Sequence, residues 1–151
     1  MVTSLRERIG DEGEARKRLI HDACQVLDLE VSDKGGLSGI AIKGAYKLVK
    51  GIKPGFIPEV VDGLLDDFLD ALDPLVSEAQ KNGVPAGKHL AVNSERAADR
   101  LLAITDARVA RSTRPVITGT YSKLRPTALK HVAAAGPRLG QLLERHFPPT
   151  A

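Results

Sequence analysis

Apolar side chains recur at Leu19, Ile20, Ala23, Val26, Leu27 and Val31, which is the three-to-four-residue period of a helix with one buried face. Asp11 with Glu14 three residues on has the capping-box spacing and predicts the start of that helix. Ser32-Asp33-Lys34-Gly35-Gly36 stops it. Leu37 to Lys50 then predicts a second helix with Ile40, Ala41, Ala45, Leu48 and Val49 inward, closed by Gly51-Ile52-Lys53-Pro54-Gly55. Pro58 suits a helical first turn, where no N–H is needed. A third stripe follows at Val61, Leu64, Leu65, Phe68, Leu72, Leu75 and Val76. Pro74 is expected to kink it or start a new turn.

Asn82-Gly83-Val84-Pro85 is the clearest turn. Beyond a short segment at Gly87–Val92, Asn93 or Ser94 caps a helix with Ala97, Ala98, Leu101, Leu102, Ile104 and Val109 on one side. Ser112-Thr113-Arg114-Pro115 closes it, and Val116 to Arg125 is helical in pattern. Pro126 and Pro137 are expected to divide the remainder into shorter helices ending near His146. No stretch alternates with period two between hairpin turns. The reading is an all-α single domain over 1–151, a bundle of six or more helices.

One stretch echoes another. Asp28 to Val31, Ile42 to Tyr46 and Pro58 with Leu64-Leu65 return in the same order as Asp106 to Val109, Ile117 to Tyr121 and Pro137 with Leu142-Leu143. A duplicated three-helix unit over 15–80 and 93–146 would pack about a pseudo-twofold axis. Gly44 and Gly119 would then allow close helix approach at the axis, and Tyr46 and Tyr121 would face a central cleft, a common ligand position in bundles. Chance similarity in a simple helical alphabet is the alternative.

Composition narrows the class. The 151 residues are 42% hydrophobic and 27% charged, with no Trp, so aliphatic side chains build the core. One cysteine, Cys24, asks for no oxidising compartment. No apolar run reaches signal-peptide or membrane-span length, which makes the cytoplasm the expected address. The net charge of +3 is uneven: residues 1–93 balance at −3 and 94–151 at +6. Either the two halves attract each other, or the second half meets an acidic protein or other anionic partner.

Four clusters could carry chemistry. Asp66-Asp67-Phe68-Leu69-Asp70 resembles the aspartate-rich motif of isoprenoid synthases, whose carboxylates hold Mg²⁺ against a diphosphate because hard cations take oxygen ligands. The resemblance covers five residues, and no second metal motif accompanies it. Glu59, Asp62, Asp66, Asp70 and Asp73 also read as the solvated face of an amphipathic helix. Lys43, Lys47 and Lys50 could align with those acids as a surface charge ladder, or meet phosphate groups of a nucleic acid or lipid. Arg108, Arg111 and Arg114, continued by Lys123, Arg125 and Lys130, form the best candidate anion surface. Its simpler reading is a solvated helix end favoured by the helix dipole. Gly35-Gly36-Leu37-Ser38-Gly39 could cradle phosphate at a helix start but lacks P-loop spacing. His21, His89, His131 and His146 show no ligand spacing.

Asp33-Lys34-Gly35-Gly36, Lys53-Pro54-Gly55-Phe56-Ile57-Pro58, Thr105-Asp106-Ala107-Arg108, Arg111-Ser112-Thr113-Arg114-Pro115 and Lys130-His131-Val132 together resemble a bacterial family of small helical proteins with no assigned function. That resemblance, over residues 18–146, implies a stand-alone bacterial helical domain and carries over no catalytic residue.

Three functions follow. The first is a non-catalytic binding or protein-interaction module with no cofactor and a basic surface in its C-terminal half, using Arg108, Arg111, Arg114 and Lys123, with Tyr46 and Tyr121 in the cleft. The second is a Mg²⁺-dependent enzyme acting on a diphosphate through Asp66, Asp67 and Asp70. The third is a homo-oligomeric structural protein whose exposed apolar stripe is covered by a second copy.

Overall fold

A computed structural model of the chain describes residues 3–149. Among them are eight helices and no strand: α1 (Leu5–Ile9), α2 (Glu14–Asp33), α3 (Gly36–Lys50), α4 (Phe56–Asn82), α5 (Ala86–Val92), α6 (Ser94–Ala110), α7 (Pro115–Ala134) and α8 (Gly136–His146). The architecture is an all-α bundle.

α4 is its axis. Leu65, Leu69, Leu72, Leu75 and Val76 line one face of α4 and pack with Leu5 and Ile9 of α1, Leu19 of α2, Leu90 of α5, Ala97 and Leu101 of α6, and Leu142 and Leu143 of α8. The apolar period of this segment is therefore its packing face. α5 and α8 cross with their backbones in contact. A Cβ on Gly140 would lie 2.6 Å from the Gly87 carbonyl oxygen, and one on Gly87 would lie 2.7 Å from that of Gly140. Only glycine permits this approach.

The chain start departs from expectation. The capping spacing in use is Ser4-x-x-Glu7: the Ser4 hydroxyl accepts from the Glu7 N–H at 3.1 Å and donates to its carboxylate at 2.9 Å. α1 is thus a short helix that apolar periodicity alone is too brief to reveal. α2 begins only at Glu14, behind Gly13 at φ 111° and without a side-chain cap, so Asp11 does not cap it.

The prolines also behave differently. Pro74 sits inside the unbroken α4 and Pro126 inside the unbroken α7, so Pro126 does not divide the C-terminal stretch. Both are exposed, which leaves water to satisfy the carbonyls a missing N–H abandons. Pro137 does stand in the first turn of α8.

Arg16 is the one buried charged residue among those described, at 6% exposure. Its guanidinium donates to Asp62 at 2.9 Å, to Asp66 at 2.8 Å, and to the backbone carbonyls of Gly10 and Asp62. This satisfies the fork that burial would otherwise leave unpaired. Arg6 adds contacts to Asp70 at 2.9 Å and Asp66 at 3.6 Å, and the Leu5 N–H donates to Asp73. The acidic face of α4 is therefore the track on which α1 and the start of α2 dock.

A second polar seam joins the chain's ends. Arg138 of α8 pairs with Glu30 and Asp33 of α2, and His146 and Arg145 reach Asp22. Part of the charge asymmetry along the sequence is thus attraction between the halves.

Candidate binding surface

α3 and α7 pack on each other, α3 also against α2 and α4, α7 also against α6 and α8. They lie outside the core: α3 contributes no side chain to the central cluster and α7 only the partly buried Val132. Gly39 is the sole buried residue of α3, and α7 has none. Helices hold such positions when something other than deep burial ties them down.

Two equivalent clasps do so. The Tyr46 hydroxyl on α3 donates to the Asp28 carboxylate on α2, and the Tyr121 hydroxyl on α7 donates to Asp106 on α6. One turn after each tyrosine comes a base on the same carboxylate. Lys50 lies 3.8 Å from Asp28 and stacks over the Tyr46 ring, while Arg125 grips Asp106 at 2.8 and 3.1 Å. Burial and the neighbouring carboxylate raise the ionisation of both phenols above the usual tyrosine range. The Arg125 guanidinium, followed by the Tyr121 hydroxyl, lowers that of Asp106.

The outward face of this layer is the unexpected feature. Leu37, Ile40, Ala41, Gly44 and Leu48 share one face of α3 by helical spacing, and all are exposed. Leu37 is 88% exposed, Ile40 69% and Leu48 62%. The expected inward placement of Ile40, Ala41 and Leu48 is therefore corrected; only Ala45 and Val49 of that set are half-buried. A stripe on α3 is present, but it faces solvent. Gly44 and Gly119 are corrected likewise: a Cβ on either would meet open space within 4 Å, so neither serves close helix approach.

Charge sorts with this layer. α3 and α7 carry Lys43, Lys47, Lys50, Lys123, Arg125 and Lys130 and no acid, and all 19 Asp and Glu lie elsewhere. Lys43, Lys47, Lys123 and Lys130 have no carboxylate partner among the described residues. The charge ladder between α3 and α4 is not formed among the described residues: Asp62, Asp66 and Asp70 are taken by Arg6 and Arg16, and Lys53, just beyond α3, is the one lysine of this stretch to reach α4, at Glu59, 2.8 Å away. An open groove of about 650 Å³ runs between α2 and α3, lined by Lys43, Tyr46, Lys47 and Lys50 with Asp28 and Ser32.

The arginine cluster follows the first half of α4 and does not join the α3/α7 layer. Arg108 and Arg111 line a groove of about 250 Å³ between α4 and α6, beside Asp67. Arg114 stacks over Phe56, 5.4 Å from the ring centroid. Lys123 is on α7 and lines neither groove. Tyr46 and Tyr121 each face their own clasp rather than one shared cleft. Of the aspartate-rich motif, Asp66 and Asp70 are engaged by arginine, which leaves Asp67 alone at the second groove. Among the described residues, no group of three or more His, Cys, Asp or Glu is placed to hold a metal ion. No described helix is long and apolar enough to cross a membrane.

Sequence reasoning weighed the α3 lysines and the C-terminal bases separately and missed that they form one layer. The signal was present: residues 34–58 and 107–143 contain no Asp or Glu, and α3 and α7 fall inside those two runs.

A family model described as "Family of unknown function (DUF6918)" matches residues 5–147. The chain belongs to the DUF6918 family. The match takes in every helix from α1 to α8, so the acid-free layer lies inside the DUF6918 unit. No curated protein and no solved structure matches the chain.

Proposed function

We propose that the protein is a non-catalytic binding module that docks on an anionic partner through the α3/α7 layer, acting in the cytoplasm, where a lone thiol such as Cys24 is at home. One observation carries this: the two least buried long helices hold six bases and no acid, and of the six only Lys50 and Arg125 are paired with a carboxylate among the described residues. A face lined by one sign of charge raises the local concentration of oppositely charged partners. The basic surface expected in the C-terminal half thus extends across to Lys43 and Lys47.

We also propose that the two halves descend from a duplication. The support is the repeated clasp: Tyr46 with Asp28 and Lys50, Tyr121 with Asp106 and Arg125.

The test is retention on immobilised heparin. Wild-type protein is expected to bind at low salt and elute as salt rises. Replacing Lys43, Lys47, Lys123 and Lys130 by Gln should abolish retention without altering the melting temperature. Replacing Arg108 and Arg111 by Gln should have the smaller effect. Wild-type flow-through at low salt, or unchanged retention of the quadruple variant, contradicts the proposal.

A further inference from the structure

We infer that the anionic partner is a membrane surface, on which α3 lies flat with Leu37, Ile40 and Leu48 immersed at the headgroup boundary; this rests on the α3/α7 layer being the docking face. Two properties of α3 coincide. Its solvent-facing apex is aliphatic, and its flank carries Lys43 and Lys47 one turn apart, both exposed. A surface helix with an apolar face beside a lysine face, and no acid, has the pattern that seats in a bilayer interface. The charges meet lipid phosphates while the aliphatics leave water. On α7, Val116, Lys123 and Lys130 are exposed in the same layer, so the contact widens beyond one helix. In the groove between α2 and α3, Asp28 is already engaged by Tyr46 and Lys50, which leaves Lys43 and Lys47 as the donors for a lipid headgroup phosphate at its rim.

The other occupants fit less well. A second copy would bring two faces of the same positive sign together, with no acid on α3 or α7 to offset them and Asp28 already engaged by Tyr46 and Lys50. A nucleic acid would satisfy the lysines but leave the aliphatic apex in water. The layer's aromatics, Tyr46 and Tyr121, are committed to Asp28 and Asp106 and offer no free stacking platform. An anionic bilayer answers both the charge and the exposed apolar stripe.

The experiment is co-sedimentation of the full chain with vesicles of phosphatidylcholine alone or mixed with phosphatidylglycerol, alongside heparin retention and light scattering. Wild type should sediment with the anionic vesicles only. The variant Ile40→Ser/Leu48→Ser should bind them about thirtyfold more weakly, from losing two aliphatic insertions, while heparin retention stays the same. Lys43→Gln/Lys47→Gln should lose about 25-fold on vesicles, at roughly fivefold per lysine, and elute earlier from heparin. Both pairs are exposed, and an unchanged melting temperature confirms folding. Heparin retention without vesicle binding overturns the membrane inference and leaves the anionic-partner reading standing. Failure on both matrices overturns both. Vesicle binding indifferent to Ile40→Ser/Leu48→Ser overturns immersion of the stripe. A wild-type dimer that this variant makes monomeric gives the stripe to a second copy and overturns the inference as well.

Discussion

The Tyr46 hydroxyl donates a hydrogen bond to the Asp28 carboxylate, and this bond fastens α3, which has almost no buried side chain of its own, to α2. Tyr121 does the same for α7 through Asp106. The chain has two tyrosines and no tryptophan, so phenolate absorbance reports these clasps alone. Burial and the adjacent carboxylate raise both phenols. The native absorbance at 295 nm should stay flat as pH passes 10, then rise with unfolding. A phenol that ionises at its usual pH only when unfolded draws the chain toward the unfolded state, so stability should fall as pH climbs above 10. Phenylalanine at either position should remove half of the late absorbance step and loosen its helix, seen as faster amide exchange in α3 or α7.

Gly44→Ala and Gly140→Ala should move stability in opposite directions. Both glycines are inside helices, where alanine is favoured by about 0.5–1 kcal/mol. At Gly44 a Cβ meets open space, so the gain should appear in full. At Gly140 it would lie 2.6 Å from the Gly87 carbonyl oxygen, forcing α5 and α8 apart at a cost of about 1–3 kcal/mol. Denaturant midpoints at constant slope measure both.

Arg16→Met should destabilise by about 2 kcal/mol in urea titration, because it strands the Asp62 carboxylate and two backbone carbonyls and leaves Asp66 with Arg6 alone. The loss stays below that of a fully enclosed pair, since the Asp62 side chain is 56% exposed and water takes up part of it.

His131 sets a pH dependence below neutrality. Burial, with Lys34 and Lys130 nearby, lowers its protonation below the usual histidine range, and its Nε2 is buried without a partner. The unfolded chain therefore takes up a proton near pH 6.5 while the folded one does not. Stability should fall as pH drops from about 6.5 toward the lowered folded value. Melting temperatures at pH 7.5 and 5.5 should differ for the wild type and converge in His131→Phe.

Glu78 works at the acid end. Arg96 and His89 hold its carboxyl down to about 2, so its contribution is complete above the ordinary carboxylate value of 4.5 and is lost as pH falls toward 2. Glu78→Gln should be less stable than wild type at pH 7, and the gap should close as pH approaches 2.

The helices were legible because burial imprints a period, and α4 shows this best: of its stripe, Leu64, Leu65, Leu72, Leu75 and Val76 are buried and Val61 and Phe68 half-buried. α3 shows the limit. The period at Leu37, Ile40, Ala41 and Leu48 identifies a helix with an apolar face but does not say whether the molecule itself covers that face. Polar partners were equally hidden. Asp62, Asp66 and Asp70 look like solvent-facing acids or a metal motif until the fold brings Arg6 and Arg16 onto them from 46 to 64 residues away. The clasp tyrosines could be picked out by the echo around Asp28 and Asp106, but the partner of each hydroxyl needed the helix pair to be assembled.

Amide hydrogen exchange of the full chain, with and without anionic vesicles, tests the docking face most directly. Binding should slow exchange across 36–50 and 115–134 and leave α4, α5 and α8 as they were. Slowing confined to the α4/α6 groove at Arg108 and Arg111, with α3 and α7 unaltered, would contradict it.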